Sequence, residues 1–160
     1  MKILVDTREQ RPFSFAGPAY SSVEIVKGTL PTGDYSVLGF ENECAVERKS
    51  ADDLIMCLTR NRDRFTKELI RARGLCSFAV VVECSMLDIA QGNYRSRMNP
   101  KAAVNSILGM MAKYGTAFIF AGTRSLAEWS TYNFLRLYLE NVQKKYKELL
   151  KAHGSGGCAA

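Results

Sequence analysis

Histidine is almost missing from these 160 residues: His153 stands alone near the C-terminus, which argues against imidazole-based acid–base catalysis and against a Ser-His-Asp triad. The five cysteines (Cys44, Cys57, Cys76, Cys84, Cys158) are odd in number and include no Cys-x-x-Cys pair. With a single histidine to help them they make a structural zinc site improbable, and most sit among apolar neighbours as reduced core residues do. No run approaches the about 18 uninterrupted apolar residues of a membrane helix. The N-terminus, Met1 to Asp6, reaches an acid too early for a secretory leader, so an intracellular location without a membrane partner is expected. Internal repeats, linkers and low-complexity blocks are also lacking, which leaves one domain over residues 1–152 and a flexible tail over 153–160. What remains is ordinary for a globular chain: 47% hydrophobic residues, enough for a core, and a net charge of +6 with pI near 9.1 that favours a polyanionic partner without naming one.

The pattern along the chain alternates between strands and helices. Lys2 to Val5 reads as a short buried strand ending at Asp6. Arg11 to Ser22, broken by Pro12, Gly17 and Pro18, is a loop. Val23 to Leu30, Tyr35 to Leu38 and Cys44 to Lys49 follow as strands, which suggests a meander, with Pro31-Thr32-Gly33-Asp34 as the turn inside it. Ser50 caps a helical region that breaks near Asn61 and ends at Gly74. Phe78 to Cys84 and Thr116 to Ala121 are apolar enough to be buried on both faces, as parallel strands are. Between them Asn99-Pro100 opens a helix to Tyr114, and Ser125 to Ala152 gives a long amphipathic helix. The expected fold class is α/β, a central mixed sheet flanked by helices.

Chemistry concentrates between Gly33 and Asp53. Residues two apart on a strand share a face, so Glu47 and Lys49 project together and Arg48 points away. A hairpin with the preceding strand can bring Asp34 beside Glu47. Converging carboxylates repel unless a cation holds them, and oxygen donors suit Mg²⁺ or Mn²⁺. Lys49 can position or help deprotonate an attacking water, or steady charge on phosphorus. Asp6 and Glu9, at the end of the first strand, can join the cluster, Asp6 as a further metal ligand, and Arg8 can grip a phosphate.

Three ordered segments carry a family likeness. Val5-Asp6-Thr7-Arg8-Glu9, Leu30-Pro31-Thr32-Gly33-Asp34-Tyr35 and Val46 to Ile55 resemble the XPF-type structure-selective endonuclease domain. Its signature, G-D-x(n)-E-R-K-x(3)-D, is met by Gly33, Asp34, Glu47, Arg48, Lys49 and Asp53, and the similarity continues to about Tyr138 through Asp63-Arg64-Phe65, Val80 to Glu83 and Gly92 to Ser96. The resemblance implies a restriction-endonuclease-like core that cuts DNA, including branched or flap structures, with Mg²⁺ or Mn²⁺ and no nucleotide cofactor. It implies Asp34 and Glu47 as metal ligands and Lys49 as the catalytic lysine. Asp6, Glu9, Arg8, Arg48, Asp53 and Arg64 are implied as supporting positions, Arg48 through an ion pair with Asp53. Helix-hairpin-helix glycine patterns, common in relatives, are not found, and residues 9–23 read as a loop where relatives carry a helix.

Arg60, Arg64, Lys67 and Arg71 share a helix face fit to follow a phosphate backbone, with a merely solvated face as the competing reading. Tyr94 and Arg95 lie in a loop where base stacking and phosphate contact are expected of a DNA binder. Trp129, Tyr132, Leu135, Leu139, Val142, Tyr146 and Leu149 form a stripe whose first part packs on the sheet and whose later turns can dock a second copy. A catalytically silent DNA-binding or scaffold subunit is the rival reading, and the presence of Asp34, Glu47 and Lys49 speaks against it.

Overall fold

In the computed structural model, which describes residues 1–154, Cys44 to Lys49 becomes the hub of a six-stranded sheet. The strands are β1 (Lys2–Asp6), β2 (Glu24–Gly28), β3 (Tyr35–Val37), β4 (Cys44–Lys49), β5 (Ser77–Val82) and β6 (Ala117–Phe120). The helices are α1 (Ala51–Leu58), α2 (Arg62–Ala72), α3 (Met86–Gln91), α4 (Pro100–Tyr114) and α5 (Arg124–His153). Strand order is β2-β1-β3-β4-β5-β6. β4, β5 and β6 run parallel, and β3 is antiparallel to both β1 and β4. Two apolar layers result. Val80 and Val82 face Leu54, Phe65 and Ile107 of α1, α2 and α4, while Ile3, Val46 and Val81 face Leu135 and Ala127 of α5. The expected α/β architecture holds, and β5 is buried as a parallel strand should be.

One topological expectation fails. The first four strands are not a meander, because β2 lies parallel to β1 at the sheet edge, with Ile3 opposite Ile25 and Val5 opposite Lys27. The segment from Thr7 to Val23 makes the crossover that a parallel pair requires. It is held down by Phe13, whose ring stacks on Tyr35 at 5.2 Å and whose amide donates to the Tyr35 hydroxyl at 2.9 Å. Pro18–Tyr20 within it is a short 3₁₀ turn, and α3 is a further helix not expected from periodicity. It is too short to show a period, and only its Ser85–Asp88 capping box and left-handed Gly92 mark it.

Helix starts follow their caps. The Ser50 hydroxyl accepts the Asp53 amide at 3.2 Å, Asn99 accepts from Ala102 at 3.2 Å ahead of Pro100, and Thr123 caps α5. The break near Asn61 is real and separates α1 from α2. α5 includes His153, one residue into the expected tail, Gly154 follows it as the C-cap, and residues 155–160, with Cys158, lie outside the described residues. Cys44, Cys57 and Cys84 are buried thiols, whereas Cys76 is exposed.

Candidate active site

The turn before β3 sets the site. Gly33 has φ of +84°, and a Cβ there would stand 3.0 Å from the Ala45 side chain and 3.1 Å from the Val46 carbonyl. Only glycine permits that approach. It lets the Asp34 amide donate to the Val46 carbonyl at 2.8 Å, and the Asp34 carboxylate accept the Arg48 amide at 2.8 Å. The Gly-Asp pair is thus a device for pinning a carboxylate across β4. On β4 the neighbours Glu47 and Lys49 share the face that looks toward α1 and α2, as strand alternation requires, and their charged ends pair directly.

Electrostatics set these two acids apart. Burial pushes the Asp34 pKa up to about 6, the Arg48 amide only partly opposing it. Burial, followed by the charge of Asp34, pushes Glu47 well above the carboxylate range, with Lys49 pulling the other way. Glu68, on α2, faces the same cleft and adds repulsion to both. Three carboxylates therefore meet one buried ammonium, whose pKa burial lowers but Glu47, with Cys57 and Glu68 beside it, raises on balance. The Lys49 nitrogen also lies 5.6 Å from the Phe65 ring centre. The cleft above them holds about 370 Å³ and is rimmed by Arg8, Arg64 and Arg71. Glu68 went unnoticed in the sequence because its helix face reads as basic. Its spacing four residues after Arg64, on the turn that also buries Phe65 and Leu69, was the available signal.

Arg48 points through the other face of the sheet, and its expected pair with Asp53 is not formed. Its guanidinium donates to Glu9 at 3.0 and 3.1 Å and to Glu83 at 3.2 Å, all three side chains being buried. Glu83 also pairs with Arg124 of α5, which donates to the Arg11 and Pro12 carbonyls at 2.8 and 3.0 Å. The result is a neutral lattice of two acids and two guanidiniums tying β4, β5, α5 and the crossover loop together. Glu83 falls in a segment of the family likeness but carries no role there, and nothing in the sequence marks Arg124. Asp53 instead accepts the Ser50 hydroxyl at 2.7 Å and lines the cleft beside Lys49.

Asp6, expected as a further metal ligand, is already saturated. Its Oδ1 accepts the Arg8 amide and Nε at 2.8 Å each, and its Oδ2 accepts Arg8 Nη2 at 2.8 Å and the Leu30 amide at 2.6 Å. The Arg8 hydrogen bonds, reinforced by the Leu30 amide against the cost of burial, hold its pKa at about 2. Asp6 is a brace that fixes Arg8 at the cleft mouth and anchors the 30–34 turn.

Of the other basic candidates, Arg64 reaches the cleft, while Arg60 and Lys67 are exposed outside it. Tyr94 is partly buried: its ring packs against the α1–α4 core, and its hydroxyl donates to the Met98 carbonyl at 2.9 Å. Arg95 is anchored through its amide to Asp52 at 2.7 Å and leaves a side chain 95% exposed. On α5, Tyr132, Leu135 and Leu139 pack on the sheet as expected, but Trp129 is 53% exposed.

Fold and site together define an α/β domain with a mixed sheet and an acidic centre at the β3–β4 end. A model of the ERCC4 domain matches residues 5–132, and the chain belongs to the ERCC4-domain family. Among solved structures it is similar to XPF from Aeropyrum pernix, with a TM-score of 0.64, 20% identity, and 98% of this chain and 76% of that one covered. It is likewise similar to XPF from Aeropyrum pernix in complex with DNA, with a TM-score of 0.64, 20% identity, and 88% and 66% covered. At that identity the likeness is one of fold. No curated protein sequence matches the chain. The XPF-type resemblance and the expected α/β fold, a central mixed sheet flanked by helices, are thereby borne out.

Proposed function

We propose that this chain is an endonuclease that hydrolyses DNA phosphodiester bonds with a divalent cation at Asp34 and Glu47. The observation that carries the reading is the pairing of these two carboxylates, both driven toward protonation where no cation is present, at the floor of a polar cleft beside Lys49. Among the described residues no cluster of three or more His, Cys, Asp or Glu is gathered closely enough to hold an ion by side chains alone. Two carboxylates fit Mg²⁺ or Mn²⁺ all the same, because such ions keep several waters and take substrate phosphate as further ligands. When bound, the ion polarises the phosphoryl oxygen and acidifies water.

The protein's own groups do the rest. Lys49, its pKa raised despite burial by the charge of Glu47, is an ammonium at neutral pH, so it orients water and steadies charge on the phosphoryl oxygens rather than taking a proton. Arg8, locked by Asp6, and Arg64 and Arg71 at the rim hold the flanking phosphates. The Arg48 lattice ties β4 to the crossover loop, the end of β5 and α5 on the other face of the sheet. Branched or flap DNA is the proposed substrate class. The later turns of α5, where Tyr146 and Leu149 are exposed, are the proposed face for a second copy, in an intracellular setting. No helix is long and apolar enough to cross a membrane among the described residues.

The test is to incubate the protein with labelled duplex, single-stranded, flap and fork DNA in Mg²⁺, Mn²⁺ or EDTA, beside Asp34→Asn and Glu47→Gln. Metal-dependent cutting that both substitutions abolish is expected. Binding by all three proteins with no cutting would instead establish the silent DNA-binding subunit.

A further inference from the structure

A second cavity lies on the same side of the sheet as the catalytic cleft, across α2 from it. Arg64, Glu68 and Arg71 turn toward the cleft, whereas Arg62, Asp63 and Thr66 line the far cavity with Asn105, Gly109 and Lys113 of α4. It holds about 520 Å³, and its lining carries two cations against the single carboxylate of Asp63. The Arg62 guanidinium is held at its edge, donating to the Leu58 carbonyl at 3.2 Å and the Ser106 hydroxyl at 3.5 Å. Gly109 sits mid-helix, and a Cβ there would meet nothing within 4 Å. Internal packing therefore gives no reason for a glycine, which weakens a helix interior, whereas close approach of an outside chain gives one. Positive charge continues over α2 from one side to the other. Arg60, Arg62, Arg64, Lys67, Arg71 and Arg73 are all exposed, and none forms an ion pair among the described residues. Lys67, one turn beyond Asp63, stands on the outer face of the helix and joins the two edges.

We propose that this cavity holds the sugar-phosphate backbone of a second DNA strand, so that α2 stands between the strand in the cleft and one diverging from it. Charge complementarity identifies the occupant. Outside the cleft, Asp63 is the one acid of α2, so the unpaired cations have no balance within the helix and fit a polyanion. The side chains of Thr66, Asn105 and Ser106 supply neutral donors of the kind that hold phosphate oxygens. α4 walls the cavity on the side away from α2, which suits one backbone rather than a whole duplex. The two tracks lie on opposite flanks of a helix about 10–12 Å across, a separation that strands parted at a fork can take. Selectivity for branched DNA would then arise within this domain, with α2 as the divider. The inference rests on the proposed reading of the cleft as a DNA-cutting site.

The experiment measures binding of the full chain in EDTA, at several salt concentrations, to a forked DNA and to a fully paired duplex with the same number of nucleotides. Wild type is compared with the double variant Arg62→Ala/Lys113→Ala, with Gly109→Glu and with Gly109→Ala, circular dichroism confirming that each is folded. The double variant is expected to bind the fork about tenfold more weakly, with a salt slope shallower by about 1 for each cation removed. Its binding to the duplex should match that of wild type. Gly109→Glu should weaken fork binding likewise, and Gly109→Ala should leave it unchanged. Fork binding that neither the double variant nor Gly109→Glu weakens overturns the second track. Equal weakening on both DNAs also overturns it, because α2 would then lie in the major groove of a single duplex. In either case, cutting of DNA by wild type in Mg²⁺ leaves the reading of the cleft intact. Failure of wild type to bind either DNA defeats both readings together.

Discussion

Asp6 and Asp34 sit on adjacent strands, joined by a hydrogen bond of 2.8 Å from the Asp6 amide to the Asp34 carbonyl, yet they live in opposite circumstances. Asp6 accepts four hydrogen bonds, three of them from Arg8, and its pKa falls to about 2. Asp34 accepts one from the Arg48 amide, faces Glu47 and Glu68, and its pKa climbs to about 6. The same division runs through the whole strand end. On the α5 side, Glu9 and Glu83 are matched by Arg48 and Arg124, whereas on the α1–α2 side three acids share Lys49. Matched acids build a frame, and unmatched ones leave room for a cation. A saturated carboxylate and an unsaturated one a strand apart are therefore best distinguished by their partners and not by their type.

The comparison is most strongly tested by activity. Asp34→Asn or Glu47→Gln should lower DNA cleavage by about a thousandfold or more in a single-turnover assay, the scale on which removing a charge-stabilising group acts. Asp6→Asn, if the protein is assayed below its melting point, should lower cleavage far less. Next in size is Arg48→Met, which would strip Glu9 of its only ion-pair partner and leave Glu83 with Arg124 alone. A loss of about 3–5 kcal/mol is expected for breaking such a buried group, seen as a fall of roughly 10 °C in Tm.

The smaller effects have opposite signs. Because the Asp6 pKa is depressed to about 2, its contribution is present above the ordinary value near 3.8 and is lost as pH falls through about 2. Asp6→Asn should thus cost about 2 kcal/mol at neutral pH, on the scale of 1.36 kcal/mol per pKa unit, with the steepest acid loss of stability removed. Asp34 is the reverse. Its pKa is raised, so its contribution is present below about 3.8 and lost as pH rises through about 6. Asp34→Asn should raise Tm by roughly 2–4 °C at pH 7.5, the gain shrinking toward pH 4. Thermal melts of both variants across that range check the pair, and equal signs would break the comparison.

Much of this was legible in the residues. The Gly33-Asp34 turn, the Glu47–Lys49 face and the Ser50 and Asn99 caps all depend on local rules of alternation and capping, and each is found where the sequence placed it. What escaped depends on contacts between distant segments. The parallel pairing of β2 with β1 is invisible to strand periodicity, which does not give direction. Arg48 was assigned Asp53, five residues on, when its partners Glu9 and Glu83 lie 39 and 35 residues away. Asp6 read as a ligand because sequence gives its charge and not the Arg8 and Leu30 donors that saturate it. Tyr94 likewise has its ring packed against the α1–α4 core and only partly exposed, a contact with distant segments that its loop sequence does not show.

The most direct test of the division between frame and site is a calorimetric titration of Mn²⁺ into wild type, Asp34→Asn and Asp6→Asn, at a pH above 7 and a temperature at which all three are folded. Binding that survives Asp6→Asn and disappears in Asp34→Asn is the predicted result. Unchanged binding by Asp34→Asn, or its loss in a folded Asp6→Asn, would contradict the account.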